Sequence, residues 1–524
     1  MVKRILPGVL AGVLAGAALA AVGPASSSAA LGALVAPPPA AAPTACVPSG
    51  SGTDYQVGPN SGQLPSLDKV PWEALKAGDT VRIFDRADPY RGKILIPGTG
   101  TQAKPIRVCG VKGPTGHRPV IDGSGAIARR GLSYVAASLD NIQETRAVIM
   151  IDRLGTQDWW QAAPSYVQVD GLEVRGAKPG NTFTNSLGKV QGYTGFGACI
   201  WIERGQNITI ADNEIHDCTN GVSSRSTSDN AKTVTSNIRI SRNYIYGNGV
   251  VGSEGIHNTY TESSGVIYEY NRFGPLRVGA LGNAIKDRSS GTVVRYNSIE
   301  GGAHSIDLVE AEDFFPVVKD NPAYRTTYVY GNQIRKNGPV GGSVIHYGGD
   351  HYGAAGASNW GESLFRKGIL YFWHNTVVVS NNESPLFNIS TTKERAEVWN
   401  NVFAFSGVTY PTLRQVSDVD PSYTAGGVIN LGVNWADKAL TDNPWRTLPG
   451  TVNGWAGLVR GTGVPVDSGF VPLAGSTVLN RALTPVSVAS VSSAYPVDRQ
   501  LGAAYLPISR TVIGTAPDLG ARER

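Results

Sequence analysis

Four ionisable side chains recur at one place in a series of short apolar segments. Aligned on their isoleucines, EGIHNTYT, GNAIKDRSS, HSIDLVEAE and GSVIHYGGD bring Ile256, Ile285, Ile306 and Ile345 into one column, followed immediately by His257, Lys286, Asp307 and His346. Side chains alternate faces along a strand, so inward isoleucines place these four residues outward. In a parallel stack with strands about 4.8 Å apart, neighbours in the column reach one another or one bound substrate. Arg288, two residues beyond Lys286, shares that face. Glu310, three beyond Asp307, and Tyr347, one beyond His346, face inward on strict alternation, but both lie near a corner where a bend can turn them toward a ligand. Arg295 and Trp360 complete the candidate substrate contacts.

Clustered titratable groups of this kind are the raw material of acid–base chemistry. β-Elimination from a uronic acid needs the sugar carboxylate neutralised, a base at C5 and a proton for the leaving oxygen. Arg288 can clamp the carboxylate, as can Arg295 if strand direction permits. Lys286 serves as base if the Arg288 charge lowers its pKa from about 10.4, a shift that Asp287 and Asp307 oppose. His257 or His346 is then the acid. A second reading uses carboxylates: Asp307 with Glu310 or Glu312 supplies the acid and base of a glycoside hydrolase. A third leaves catalysis out. Trp159, Trp160, Trp201, Tyr260, Tyr352 and Trp360 fall in or beside loops where they can stack on sugars in a glycan-binding or adhesion solenoid, although packing competes for each. No cofactor is expected and no metal site is assigned. Calcium is compatible with the abundant acidic and asparagine side chains, but no EF-hand-like loop or repeated aspartate array supports it.

The elements that must hold this column are the strands of a repeat. Strand, asparagine, strand recurs as NITIADNEIHDC, NIRISRNYIYGN, GVIYEYNRF, GTVVRYNSIEGG, TTYVYGNQIRKNG, GILYFWHNTVVVS and AEVWNNVFAF. Its asparagines are Asn213, Asn243, Asn271, Asn297, Asn332, Asn375 and Asn401, spaced by 30, 28, 26, 35, 43 and 26 residues. Apolar and polar residues alternate around each asparagine, the period of a strand with one buried face. A β-sandwich has no reason to repeat an asparagine at one place in every unit. A solenoid does, because an inward asparagine at a corner can bond the backbone of the coils above and below. The pattern predicts an all-β, right-handed parallel β-helix over 46–405, with an N-terminal cap and a loop-rich C-terminal cover over 406–524.

Two stretches carry a resemblance. GDTVRIF…YRGKILIPGTGTQAKPIRVCG together with GNAIKDRSSGTVVRYNSIEGG resembles the right-handed β-helix proteins related to chondroitinase B and the alginate lyases of polysaccharide lyase family six, over about 54–405. The resemblance implies a lysine on one coil and an arginine on the next as base and acid. Lys286 stands where that lysine would, followed by a polar residue, but the position 21 residues later holds Asp307 where the arginine is expected. The chain thus departs from the family at its proton donor.

Composition bounds the setting. Lys3 and Arg4, an alanine-rich apolar run over 9–22 and small residues to Ala30 read as a bacterial secretory signal over 1–30, followed by a Pro/Ala linker over 31–45. The apolar run is broken by glycines and shorter than a membrane span, so a secreted, extracellular protein with no membrane association after signal removal is expected. A formal charge of +5 from 46 basic and 41 acidic residues is too diffuse for nucleic acid. A monomer acting on a polysaccharide fits it. Cys46, Cys109, Cys199 and Cys218 lack zinc-site spacing and allow three disulfide pairings. Substrate choice is expected to lie in the irregular loops 182–194 and 351–367.

Overall fold

The computed structural model describes residues 37–39, 44–136, 142–338, 342–350, 362–381, 383–389, 393–415, 427–442 and 451–524. Each turn of the chain lays down three strands. Gln206–Ala211 is followed by Glu214–His216 and Asn220–Ser224 before Ser236–Ser241 opens the next turn, paired in parallel with Gln206–Ala211. Repetition builds three long parallel sheets, of 13, 11 and 11 strands among the described residues. The fold is the right-handed parallel β-helix that the repeat predicts.

The alternation in segments such as NITIA and NIRIS explains why the coils stack. Val167, Ile208, Ile238 and Val266 form one inward column, and Val169, Ile210, Ile240 and Tyr268 the next. All eight are buried. Each such aliphatic side chain contributes roughly 2 kcal/mol through burial. An Ile240→Ala change, flanked by packed neighbours above and below, would cost roughly 2–5 kcal/mol.

Between the first and second strand of each turn the chain bends within two residues. The first adopts the left-handed conformation, as Asp212 (φ 56°), Arg242 (φ 56°) and Tyr270 (φ 57°) do. The second is the repeat asparagine, whose side chain offsets that strain. Asn243 Oδ1 accepts from the Asn213 backbone N–H at 3.0 Å and Nδ2 at 3.1 Å, while its own Nδ2 donates to Ile210 O at 2.9 Å and Asn271 Oδ1 at 3.1 Å. The ladder continues to Asn434, which accepts from Asn401.

The coils therefore run further than 405. Val428–Leu431, Asn434–Ala436, Val452–Asn453 and Leu458–Arg460 extend the ladders in register. The intervening insertions break the repeat spacing in the sequence without breaking the stack. What remains of the tail covers a flank of the solenoid. The helix Ala489–Ala494 brings Val491, with Tyr495 beyond it, against Tyr328 and Trp373, and Ala521 N–H donates to Thr376 Oγ1 at 2.9 Å.

At the other end, VPWEALKAG forms short 3-10 turns, Leu67–Lys69 and Trp72–Ala74, with Trp72 buried. The disulfides are Cys46–Cys109 and Cys199–Cys218. No described helix is long and apolar enough to cross a membrane. The expected signal over 1–30 lies outside the described residues, as does most of the linker.

Candidate active site

One of the three sheets carries the ionisable column on strands β1 (Thr259–Thr261), β2 (Ile285–Asp287), β3 (Ile306–Leu308) and β4 (Ile345–Tyr347). Their register aligns Tyr260, Lys286, Asp307 and His346. Lys286, Asp307 and His346 stand together as the alignment predicts, but Tyr260 takes the place assigned to His257. The reason is an inward threonine. Thr259, not Ile256, pairs with Ile285, and the inward Thr261 donates to Asp287 Oδ1 at 2.8 Å and lies 2.6 Å from the Tyr268 hydroxyl. A polar interior position satisfied by buried partners does not show in an alignment made on apolar residues.

His257 belongs to a second ladder, three residues upstream of the first. His257, Asn283, His304 and Ser343 precede Tyr260, Lys286, Asp307 and His346, and each donates its backbone N–H to a side chain one turn earlier. His257 N–H reaches Asn220 Oδ1 at 2.7 Å. Asn283 N–H reaches His257 Nδ1, His304 N–H reaches Asn283 Oδ1 and Ser343 N–H reaches His304 Nδ1, each at 2.9 Å. Nδ1 is thus an acceptor in both histidines, so each neutral ring carries its proton on Nε2. Burial, with the Lys286 charge added at His257, pushes both down to about 3. His257 is therefore a neutral hydrogen-bond donor and not the imidazolium acid expected of it.

The charged groups form one connected cluster. Asp307 Oδ2 accepts from Lys286 Nζ and Asn283 Nδ2, both at 2.7 Å, and Oδ1 lies 2.8 Å from His346 Nδ1. Burial opposes the Asp307 charge, but Lys286 and His346 outweigh it and hold the carboxyl well below the usual range. Burial likewise works against the Lys286 ammonium, yet Asp307 and Asp350 more than compensate, and its pKa rises. The lowering that a lysine base requires is not present, because Arg288 is outweighed by two carboxylates.

Arg288 gathers the other side of the cluster. It donates to the Tyr260 hydroxyl at 2.8 Å, to Glu310 Oε2 at 3.2 Å and to Asp350 Oδ1 at 3.0 Å. Asp350 also accepts from Lys286 Nζ. The Tyr260 hydroxyl donates to Glu312 Oε2 at 3.0 Å, and burial raises its pKa. Behind Glu312, the carboxyl of Glu262 accepts from the Glu312 and Asp313 N–H groups at 2.7 and 2.9 Å, and burial pushes it up to about 8. Tyr260, Lys286, Arg288, Asp307, Glu312, His346 and Asp350 line a cleft of about 540 Å³, with Phe196, Glu254 and His304 on its walls.

Four expected substrate contacts fare differently. Glu310 is wholly buried under Arg288 and does not line the cleft. Tyr347 faces the interior, because β4 keeps full pairing on both sides and no bend turns it out. Arg295 sits on the asparagine-bearing sheet, where it pairs with Glu269 at 2.7 Å and donates to the Tyr330 hydroxyl at 3.0 Å, away from the cleft. Trp360 lies outside the described residues. The sequence reading missed Asn283, His304 and Asp350. The constant offset of three residues before each column member was the available signal for the first two; Asp350 has none.

His304, Asp307 and His346 each offer a potential metal-ligand atom, all within 4.8 Å of one another. The hydrogen bonds favour another use. His304 Nδ1 accepts from Ser343, which leaves the proton on Nε2, and Asp307 Oδ2 already accepts from Lys286 and Asn283. Nor are two imidazoles the oxygen-rich set that calcium takes.

No family model matches the chain, and no curated protein matches it in sequence. Among solved structures it matches pectate lyase Pel9A at 14% identity and a TM-score of 0.42, over 91% of this chain and 98% of that one. An alginate lyase of polysaccharide lyase family six, AlyGC, matches at 12% identity and a TM-score of 0.38, over 78% and 53%. The Streptococcus pneumoniae surface protein and adhesin PfbA matches at 11% and 0.38, over 73% and 91%. At these identities and TM-scores function is argued from the cleft itself.

Proposed function

We propose that the protein is a secreted polysaccharide lyase that cleaves a uronic-acid-containing glycan in this cleft by β-elimination. The observation that carries the reading is the Asp307 carboxylate held between His346 Nδ1 at 2.8 Å and Lys286 Nζ at 2.7 Å. When the His346 ring is neutral, the ionised Asp307 beside Nδ1 favours the ring proton there and leaves Nε2 as the lone pair that takes the C5 proton. Lys286, kept as an ammonium by its carboxylates, is the donor to the leaving oxygen. His346, through Nδ1, and Lys286, through Nζ, contact one carboxylate, so base and donor stand within the span of a single sugar residue. Arg288 supplies the countercharge for the uronate carboxylate, and the Nε2–H groups of His257 and His304 offer neutral donors on the cleft walls.

Relative to the family resemblance, the lysine changes role from base to acid. The aspartate in place of the expected arginine is what makes a histidine base available. The hydrolase reading finds less support: Asp307 is stabilised as an anion and is a poor acid, Glu310 is sealed from the cleft, and Glu312, which lines it, is engaged by the Tyr260 hydroxyl and Arg288.

The test is ultraviolet absorbance of the unsaturated product with alginate, pectate, chondroitin and hyaluronan. Turnover on one of them, abolished by His346→Ala and by Lys286→Met, is expected. Silence across all four, or reducing ends released without the absorbing product, would overturn the lyase reading.

A further inference from the structure

The two cations of the cleft each have a buried carboxylate partner of their own. Lys286 has Asp307 and Arg288 has Glu310, with side-chain exposures of 5% and 2% for the first pair and 3% and 0% for the second. Asp350 is a further acid that touches both. Its Oδ1 and Oδ2 lie 3.0 and 3.3 Å from Arg288 Nη2, and Oδ2 also meets Lys286 Nζ. Its side chain is 25% exposed, far more than the groups it joins. With Glu312 also against Arg288, the described residues of this cluster include two cations and four carboxylates. Each cation therefore keeps a buried carboxylate partner when Asp350 leaves.

Asp350 also differs in origin. Among the described residues, the other acids that touch Lys286 and Arg288 come from β3 or from the few residues after it, whereas Asp350 follows β4 by three residues and is anchored through its backbone N–H to Glu310 Oε2 at 3.1 Å. Its carboxylate can leave by side-chain rotation while that anchor and the inner pairs stay in place. An incoming carboxylate of equal charge and shape would restore the contacts that Asp350 gives up, so the exchange costs little electrostatically.

We propose that Asp350 occupies the subsite of the substrate carboxylate, and that a uronate enters by displacing it from Arg288 and Lys286. The inference rests on the lyase reading and adds an internal competitor to it. Displacement opens the clamp on Arg288 and at the same step releases Lys286 to serve the leaving oxygen. A neutral sugar cannot make the exchange, because it would strip two buried cations of an anion and replace it with a hydroxyl. Selection for acidic sugars then follows from the competition itself.

The experiment is calorimetric binding of D-glucuronate and D-galacturonate, beside D-glucose and D-galactose, to the wild-type protein and to Asp350→Asn and Asp350→Ala. These monosaccharides have no glycosidic bond to cleave, so the measurement is independent of turnover. Uronate affinity at least about tenfold higher in both variants, with the neutral sugars no tighter, is expected. The asparagine variant preserves shape and guards against a folding defect in the alanine one. Unchanged or weaker uronate binding in folded Asp350→Asn would overturn the proposal, as would equal tightening for neutral sugars. Absence of unsaturated product in the polymer assay, with this binding pattern intact, would count against the lyase chemistry alone.

Discussion

Asp307→Asn probes the centre of the cleft with one atom exchanged. The carboxylate faces two donors on Oδ2, Lys286 Nζ and Asn283 Nδ2 at 2.7 Å, and His346 Nδ1 at 2.8 Å on Oδ1. An asparagine has one acceptor oxygen and one donor nitrogen. With its oxygen toward Lys286 and Asn283, its amide N–H confronts His346 Nδ1, so that nitrogen must become the acceptor and the ring proton moves to Nε2. The base is then lost with the fold intact. Inverting the tautomer in a carboxylate–imidazole pair costs roughly four orders of magnitude in turnover. Removing one member of a buried ion pair costs about 3 kcal/mol, the low end of the usual range, because Asp350 still accompanies Lys286. The assay joins product absorbance with a thermal melt and nitrogen NMR of the imidazoles. A folded variant turning over within about tenfold of wild type, or a His346 proton still on Nδ1, would refute the reasoning.

Three further outcomes are expected. Asn332→Ala leaves the buried Asn297 N–H and Val294 carbonyl, now bonded at 2.9 Å each, without partners, and should destabilise by about 3 kcal/mol in chemical denaturation; a loss under about 1 kcal/mol would contradict the load assigned to the asparagine ladder. The disulfides close separations of 63 and 19 residues, so loop entropy makes replacing Cys46 and Cys109 by alanine about 1 kcal/mol more costly than replacing Cys199 and Cys218, and the reverse order would show that entropy does not govern them. His257 and His304 sit at about 3 in the folded protein against about 6.5 unfolded, so the unfolded chain binds more protons between those values. Their contribution is complete above about pH 6.5 and drains away as pH falls toward 3, with a slope near two protons. His257→Gln, which keeps an acceptor for Asn283 N–H, should remove one of the two, and an unaltered slope would place the titration elsewhere.

The coil was legible in the sequence because its causes are local and repeated. Alternating Ile and Val set the inward columns, and the asparagine after a left-handed residue marks each corner, so both recur at every turn wherever the chain stands. The outward placement of Lys286, Asp307 and His346 followed from the same period-two rule. What the period could not reveal was register and return. Thr259 faces inward because Asn220 and Asn258 pin the backbone before it and Thr261 is satisfied by Asp287 and Tyr268, long-range contacts that shift His257 out of the column. Arg295 looked available beside Lys286 in the text, but a strand change carries it to another sheet, where Glu269 claims it. Asp350, 64 residues beyond Lys286, reaches the lysine only because the coils bring them together. Side-chain facing is a property of neighbouring residues, whereas the pKa values, tautomers and competing carboxylates of the cleft are properties of turns stacked on one another, and only the tertiary structure decides those.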